Sequence, residues 1–185
     1  MTTSDRRAGA TSGGKSDATY RDQEWLENLL AQIWYEHFID IEQTNQVQIR
    51  WGRRAKRRLG SISLDPTDRD TSIITVNRIF TDLAIPEFVI KATIVHEMTH
   101  YAHGFNSPLD QQHKYPHSGG VIRQEFAERD LEDLYLLQKK WLKANWPGVI
   151  ARYWPAAGQR RSAVRVRRAP AKNAKNQLPR WLRNI

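Results

Sequence analysis

An apolar segment that runs directly into two histidines and a glutamate is the feature that most constrains this chain. Residues 88–95 are almost all apolar, and the pentapeptide HEMTH follows at residues 96–100. A Pro-Glu pair before the segment marks a helix start and Gly104 suits a C-terminal cap, so we predict a buried helix over residues 86–103. Because unpaired polar side chains are costly away from water, the helix must supply partners for its two imidazoles and its carboxylate.

The spacing within this pentapeptide is that of a metal-dependent hydrolase. Helical residues four apart lie one turn apart on the same face, so His96 and His100 can bind one metal ion. Glu97 projects beside them, where it can act on a metal-bound water without being a ligand. The pattern predicts a Zn²⁺ cofactor, His96 and His100 as metal ligands and Glu97 as the catalytic base. The alternative is two histidines on a helix flank beside a solvated glutamate.

A catalytic zinc site usually has a third protein ligand. His103 is excluded because it lies about 10 Å along the helix axis from His96, and we predict that it is a surface residue or one that supports a ligand. The spacing leaves His117, Glu125 and His113 as candidates. His117 directly precedes another predicted helix, His113 lies deeper in a loop, and Glu125 would give a gluzincin-type site.

The remaining segments predict a single α+β domain. Apolar residues at helical spacing indicate an N-terminal helix over residues 22–38 and a C-terminal helix over residues 121–143. Three short strands are predicted at residues 47–51, 59–64 and 72–76 from their β-branched content and the turn formers between them. Together with the buried HExxH helix, these elements suffice for one hydrophobic core.

Five segments, taken in order, resemble the SprT-like (Spartan-type) zinc metallopeptidase family. The resemblance spans residues 25–146 and implies a compact zincin-like fold, a Zn²⁺ cofactor and peptide-bond hydrolysis. In that family a histidine beside a Gly-containing segment after the helix supplies the third ligand, which corresponds to His117 here. Many members also carry a cysteine-rich zinc ribbon, whereas this chain has no cysteine. The segments are VQIRW (47–51), RRLGSISL (57–64), IITVN (73–77), VHEMTH (95–100) and PHSGGV (116–121).

Basic residues are concentrated at the C-terminal end. Residues 151–185 contain ten arginines and lysines and no acid, so the formal net charge of +9 leaves −1 on residues 1–150. Prolines and few large aliphatics predict a disordered tail, which would bind DNA or RNA without sequence specificity. With the family resemblance, this tail predicts action on nucleic-acid-associated proteins. The alternatives are a tail that only aids solubility or contacts acidic proteins, and a nucleic-acid-binding protein whose zinc site is structural or latent.

A second basic cluster lies between the first two predicted strands. We interpret it as a solvated hairpin connection whose charges protect a sheet edge. Direct contact with a polyanion is the alternative. The cluster consists of Arg50, Arg53, Arg54, Lys56, Arg57 and Arg58.

The composition of the rest of the chain sets the domain limits and the expected compartment. Residues 1–18 lack an apolar core, which predicts a disordered leader without a secretory signal, and the metallopeptidase domain then occupies residues 19–150. No apolar run approaches the length of a membrane span, so we expect no membrane partner. Without cysteine or an export signal, a cytoplasmic location is the simplest interpretation. We therefore expect a cytoplasmic zinc endopeptidase with protein or peptide substrates.

Overall fold

A computed structural model of the chain describes residues 20–155. Within that range the fold is α+β, with four α-helices, two short 3-10 helices at Arg78–Thr81 and Ser118–Gly120, and one three-stranded sheet. The predicted leader, and the predicted tail from residue 156 onward, lie outside the described residues. The elements in chain order are α1 (Gln23–His37), β1 (Gln46–Trp51), β2 (Gly60–Leu64), β3 (Thr71–Val76), α2 (Glu87–Ala102), α3 (Val121–Glu128) and α4 (Glu132–Tyr153).

Two compact units divide the chain between residues 144 and 145. In the first unit, the described residues contain the sheet, α1 to α3 and the first part of α4. In the second unit, they contain the last turns of α4, including the first residues of the predicted tail. None of the helices described between residues 20 and 155 has the length and apolar character needed to cross a membrane.

The sheet is mixed, and β3 is its central strand. β1 pairs with β3 in parallel and β2 pairs with β3 antiparallel, in the order β1-β3-β2. All three strands begin and end within one residue of the predicted positions. β3 is the most apolar of the three strands. As the central strand it has a neighbour on each side, and it is buried along nearly its whole length. Since β1 and β2 do not pair, the segment between them is not a hairpin connection, and that part of the prediction is wrong.

The N-terminal helix forms where the sequence predicts it, and a buried arginine ties its start to the rest of the core. Asp22 caps α1 by accepting a hydrogen bond from the Trp25 N–H at 2.8 Å. Arg21 donates to the backbone carbonyls of Phe80, Asp82 and Ile85 at 2.9–3.0 Å. Because these carbonyls lie in the segment that leads into α2, Arg21 fixes the approach to α2 against α1.

The predicted HExxH helix is α2, and it is buried along most of its surface. Twelve of its sixteen residues are buried, so it passes through the core. It ends at the predicted glycine: Gly104 has a φ of +78°, and the N–H groups of Gly104 and Phe105 donate to the carbonyls of Tyr101 and His100. This left-handed cap places the Phe105 ring edge-on to the His100 ring.

The single C-terminal helix predicted over residues 121–143 is instead two helices. α3 ends in a left-handed cap in which Asp130 has a φ of +57° and the Leu131 N–H donates to the Phe126 carbonyl at 2.7 Å. α4 then begins at Glu132 and continues to Tyr153. The prediction was wrong because apolar spacing continues across the break, and because an aspartate occupies the left-handed position where glycine is usual.

A buried asparagine after β3 fixes the connection between β1 and β2. The Asn77 side-chain amide donates to the carbonyls of Ala55 and Arg58, both at 2.7 Å. Its side-chain oxygen accepts from the N–H groups of Ala55 at 3.3 Å and Ile79 at 3.1 Å. One side chain thus holds the basic connection against the end of the central strand.

The Asn77→Ala substitution should lower the free energy of unfolding by about 2–4 kcal/mol, because it removes four hydrogen bonds and leaves part-buried backbone groups of Ala55 and Arg58 and the buried Ile79 N–H unpaired. Urea denaturation measures this difference. The exposed Gln43 provides the control, since Gln43→Ala should change stability by less than about 0.5 kcal/mol. Wild-type stability in Asn77→Ala would show that the connection is held by other contacts.

Candidate metal centre

Two of the predicted ligands, His96 and His100, lie one turn apart on α2, and their ring nitrogens approach each other. The Nε2 atoms of His96 and His100 are 3.1 Å apart. Two nitrogens bound at about 2.0–2.1 Å to a tetrahedral Zn²⁺ would be about 3.3 Å apart. The rings of His96 and His100 are therefore already close to the spacing that a shared ion requires.

The loop after α2 brings a third imidazole to this pair. The His117 ring centroid lies 5.4 Å from that of His96 and 4.7 Å from that of His100. One ligand atom from each of the three residues lies within 4.8 Å of the other two. Gly119 and Gly120, both with positive φ, turn the chain from His117 into α3. His96, His100 and His117 could therefore hold a metal ion.

Burial keeps the two helical histidines neutral. It lowers the pKa of His96 to about 4, with a smaller contribution from His117, and lowers the pKa of His100 to about 3, with smaller contributions from neighbouring histidines. Neutral imidazole is the form that binds metals. The His100 Nδ1 atom is buried without a hydrogen-bond partner among the described residues, so packing holds this ring, with Phe105 edge-on at 6.1 Å between ring centroids.

Glu97 is buried beside the histidines, in space that a glycine leaves open. Burial raises its pKa to about 8, while the Arg58 charge and the Ile62 backbone N–H act in the opposite direction. A Cβ atom on Gly60 would lie 2.7 Å from Glu97 Oε1 and 2.8 Å from Thr93 Cγ2. Any larger residue at position 60 would therefore clash with the Glu97 carboxylate in its present position. Gly60 was not among the predicted site residues, because a glycine at the start of a strand resembles an ordinary turn residue.

The three histidines and Glu97 open into a cleft of about 750 Å³. Its walls come from β2, α2 and the loop that carries His117. Gln138 of α4 also lines it and donates to the Val89 carbonyl at 2.9 Å and to Thr93 Oγ1 at 3.0 Å. Gln138 was not among the predicted site residues. The lining residues nearest β2 are Arg57, Arg58, Leu59, Gly60, Ser61, Ile62 and Ser63.

The structure places the other ligand candidates away from this group. Glu125 Oε2 is 2.9 Å from His103 Nε2, and Glu125 Oε1 pairs with Arg129 at 2.6 Å. The His113 ring lies edge-on to His103, with 4.6 Å between centroids. His103 is only 2% exposed, so the prediction that it lies on the surface is wrong. Its burial is tolerated because Glu125 pairs with its Nε2 atom.

Comparison with known proteins does not place this geometry in a family. No protein-family model, no curated protein and no solved structure matches the chain. The function of the cleft must therefore be inferred from its own residues. These are two neutral imidazoles on a buried helix, a third on a loop, and a buried carboxyl group beside them.

His117→Ala should weaken Zn²⁺ binding by at least about 100-fold, because it removes one of three ligands. Competition with a chromophoric chelator measures the affinity, and metal analysis of the purified protein gives the stoichiometry. The matched control is His113→Ala, which removes an imidazole from the same loop and should leave the affinity unchanged.

Glu125→Gln tests whether His117 or Glu125 is the third metal ligand beside His96 and His100. It should keep Zn²⁺ but lower the free energy of unfolding by about 2–4 kcal/mol, since His103 and Arg129 would lose a buried charged partner. Loss of zinc in Glu125→Gln, with zinc retained in His117→Ala, would replace His117 by Glu125 in the ligand set.

Proposed function

We propose that the chain is a zinc-dependent metallopeptidase of the HExxH type, built on a zincin-like, SprT-like domain. The observation that carries the proposal is the group formed by His96, His100 and His117 in an open cleft, next to the buried Glu97. Three nitrogen ligands with one position left free characterise catalytic zinc sites, whereas structural sites are closed by four ligands. The resemblance of five sequence segments to the SprT-like family supports the same activity.

His96, His100 and His117 would hold the ion. When bound, Zn²⁺ supplies Lewis acidity, which activates a water molecule near neutral pH and polarises the scissile carbonyl. Glu97 takes the proton from the attacking water and passes it to the leaving amine. A carboxyl group can do both when its pKa lies near the working pH. Burial of Glu97 raises the pKa in that direction, and a neighbouring dication would favour the ionised form that starts the reaction.

The exposed backbone groups of the β2 edge, beside Glu97, are consistent with the proposal that the substrate is a peptide. Backbone hydrogen bonds just beyond both ends of β2 show which of its residues bond to β3. Because bonded pairs alternate along an antiparallel ladder, Ser61 and Ser63 bond to β3, while Gly60, Ile62 and Leu64 turn their backbone groups outward. Residues 60–63 line the cleft. An extended peptide that paired with this edge would lie next to Glu97.

Glu97→Gln should retain Zn²⁺ and lose at least about 100-fold in the rate of cleavage of an unfolded protein substrate, because an amide cannot accept the proton from water. Zinc content and cleavage are measured on the same preparation. Glu128→Gln, on the exposed face of α3, is the control and should cleave like the wild type. Retained cleavage in zinc-loaded Glu97→Gln would exclude the assigned role of Glu97.

We also propose that the basic tail brings this activity to nucleic acid. The support is compositional: residues 151–185 contain ten basic residues and no acid. A basic arm of this kind releases counterions from DNA or RNA, which gives an affinity without sequence specificity. The competing proposal is that nucleic-acid binding is itself the function and that the zinc site is structural or latent.

Removal of residues 156–185 should abolish the mobility shift of a DNA or RNA fragment while leaving cleavage of a peptide intact. For the full chain, raising the salt from about 50 to 200 mM should weaken nucleic-acid binding by at least about tenfold. An unchanged shift after removal of the tail would contradict the assigned role of the tail. A shift without any zinc-dependent cleavage by the full chain would favour the competing proposal.

A further inference from the structure

Two arginines give the cleft a positive charge on one side. Arg57 and Arg58 both line it, just before the start of the edge strand β2. Glu97 is the only acid among the lining residues. Both arginine side chains are exposed, and neither guanidinium has a salt-bridge partner within residues 20–155. Since neither charge is neutralised by a salt bridge within these residues, both can act on a molecule that enters the cleft, while the Arg58 charge also acts on Glu97.

The backbone that carries this pair is held in place. Asn77 donates to the Arg58 carbonyl and also bonds to both backbone groups of Ala55, while its own backbone N–H donates to the Leu59 carbonyl at 2.8 Å. Asn77 itself is buried at the end of the central strand. Guanidinium groups on a fixed backbone lose less entropy on binding than groups on a mobile loop.

The position of the pair along β2 predicts which part of a substrate it meets. Glu97 lies against Gly60, so the bond to be cleaved should lie near that residue. Arg58 and Arg57 precede Gly60 by two and three residues in a bent segment, so they lie at most about 7–10 Å from it along the chain. A peptide that pairs antiparallel to β2 would have the residues on the carboxyl-terminal side of its scissile bond opposite Arg57 and Arg58.

We propose that Arg57 and Arg58 select substrates with an aspartate or glutamate two or three residues to the carboxyl-terminal side of the scissile bond. This inference rests on the proposed peptidase function. Guanidinium groups bind carboxylates through paired, charge-assisted hydrogen bonds, which recognise a carboxylate better than its amide. The same charges, together with a dication at the three histidines, would repel a lysine at that position.

The test uses three fluorogenic peptides that differ only by glutamate, glutamine or lysine at this position. We expect the zinc-loaded wild type to prefer the glutamate over the glutamine peptide in kcat/KM by about tenfold, and Arg57→Gln/Arg58→Gln to lower that ratio to within about twofold of one. Arg53→Gln/Arg69→Gln removes the same charge from exposed residues that do not line the cleft, and should keep the wild-type ratio. In Arg57→Glu/Arg58→Glu the preference should pass to a lysine peptide.

Binding to zinc-loaded Glu97→Gln separates this inference from the proposed function. If the wild type cleaves none of the peptides, but Glu97→Gln binds the glutamate peptide more tightly and loses that preference when Arg57 and Arg58 are neutralised, the peptidase proposal fails and the acidic preference stands. An equal affinity for the glutamate and glutamine peptides, or a preference that survives the double substitution, overturns the inference. A mobility shift of a single-stranded oligonucleotide that weakens in Arg57→Gln/Arg58→Gln but not in Arg53→Gln/Arg69→Gln would assign the pair to nucleic acid and also overturn it.

Discussion

The burial of α2 determines how the residues around it are arranged. A helix surrounded by core cannot leave its polar side chains to water, so each of them requires a partner close by. Thr93 and Thr99 satisfy their hydroxyls on their own helix, by donating to the carbonyls of Val89 and Val95. His103 pairs with α3 through Glu125, and Glu97 occupies the space beside Gly60. What remains is the pair His96 and His100, whose Nε2 atoms contact each other and lie close to His117.

A chain of charged contacts fixes α3, and therefore the end of the loop that carries His117. Arg129 pairs with Glu125, reaches Asp40 at 2.7 Å and lies over the Phe38 ring at 4.0 Å from its centroid. Glu125 in turn joins His103, so α2, α3 and the end of α1 share one largely buried network. Such networks tolerate little change, since removal of one member leaves the others charged and unpaired. The geometry of the three histidines thus depends on residues that do not line the cleft.

Local sequence patterns were sufficient for most of the fold, and long-range contacts account for what they missed. The N-terminal helix, the cap at Gly104 and the strand segments could be predicted because their causes lie within a few residues. The order of the strands could not be predicted, because no local sequence signal specifies that β2 pairs with β3 and not with β1. Asp130 ended α3 without a glycine. At the site, HExxH identified three residues. The space beside Glu97, the burial of His103 and the presence of Arg57 and Arg58 in the cleft required the tertiary structure.

The division of the three histidines between a buried helix and an exposed loop has a thermodynamic consequence. His96 and His100 are ordered by the core, whereas His117 is exposed and is ordered by its loop. An ion held by all three would join residues 100 and 117, and so act as a cross-link in a chain that has no cysteine. Closing a loop of this length restricts the unfolded chain by about 3 kcal/mol in the entropy model of cross-links. Metal occupancy and loop order would then be linked, so that conditions favouring one also favour the other.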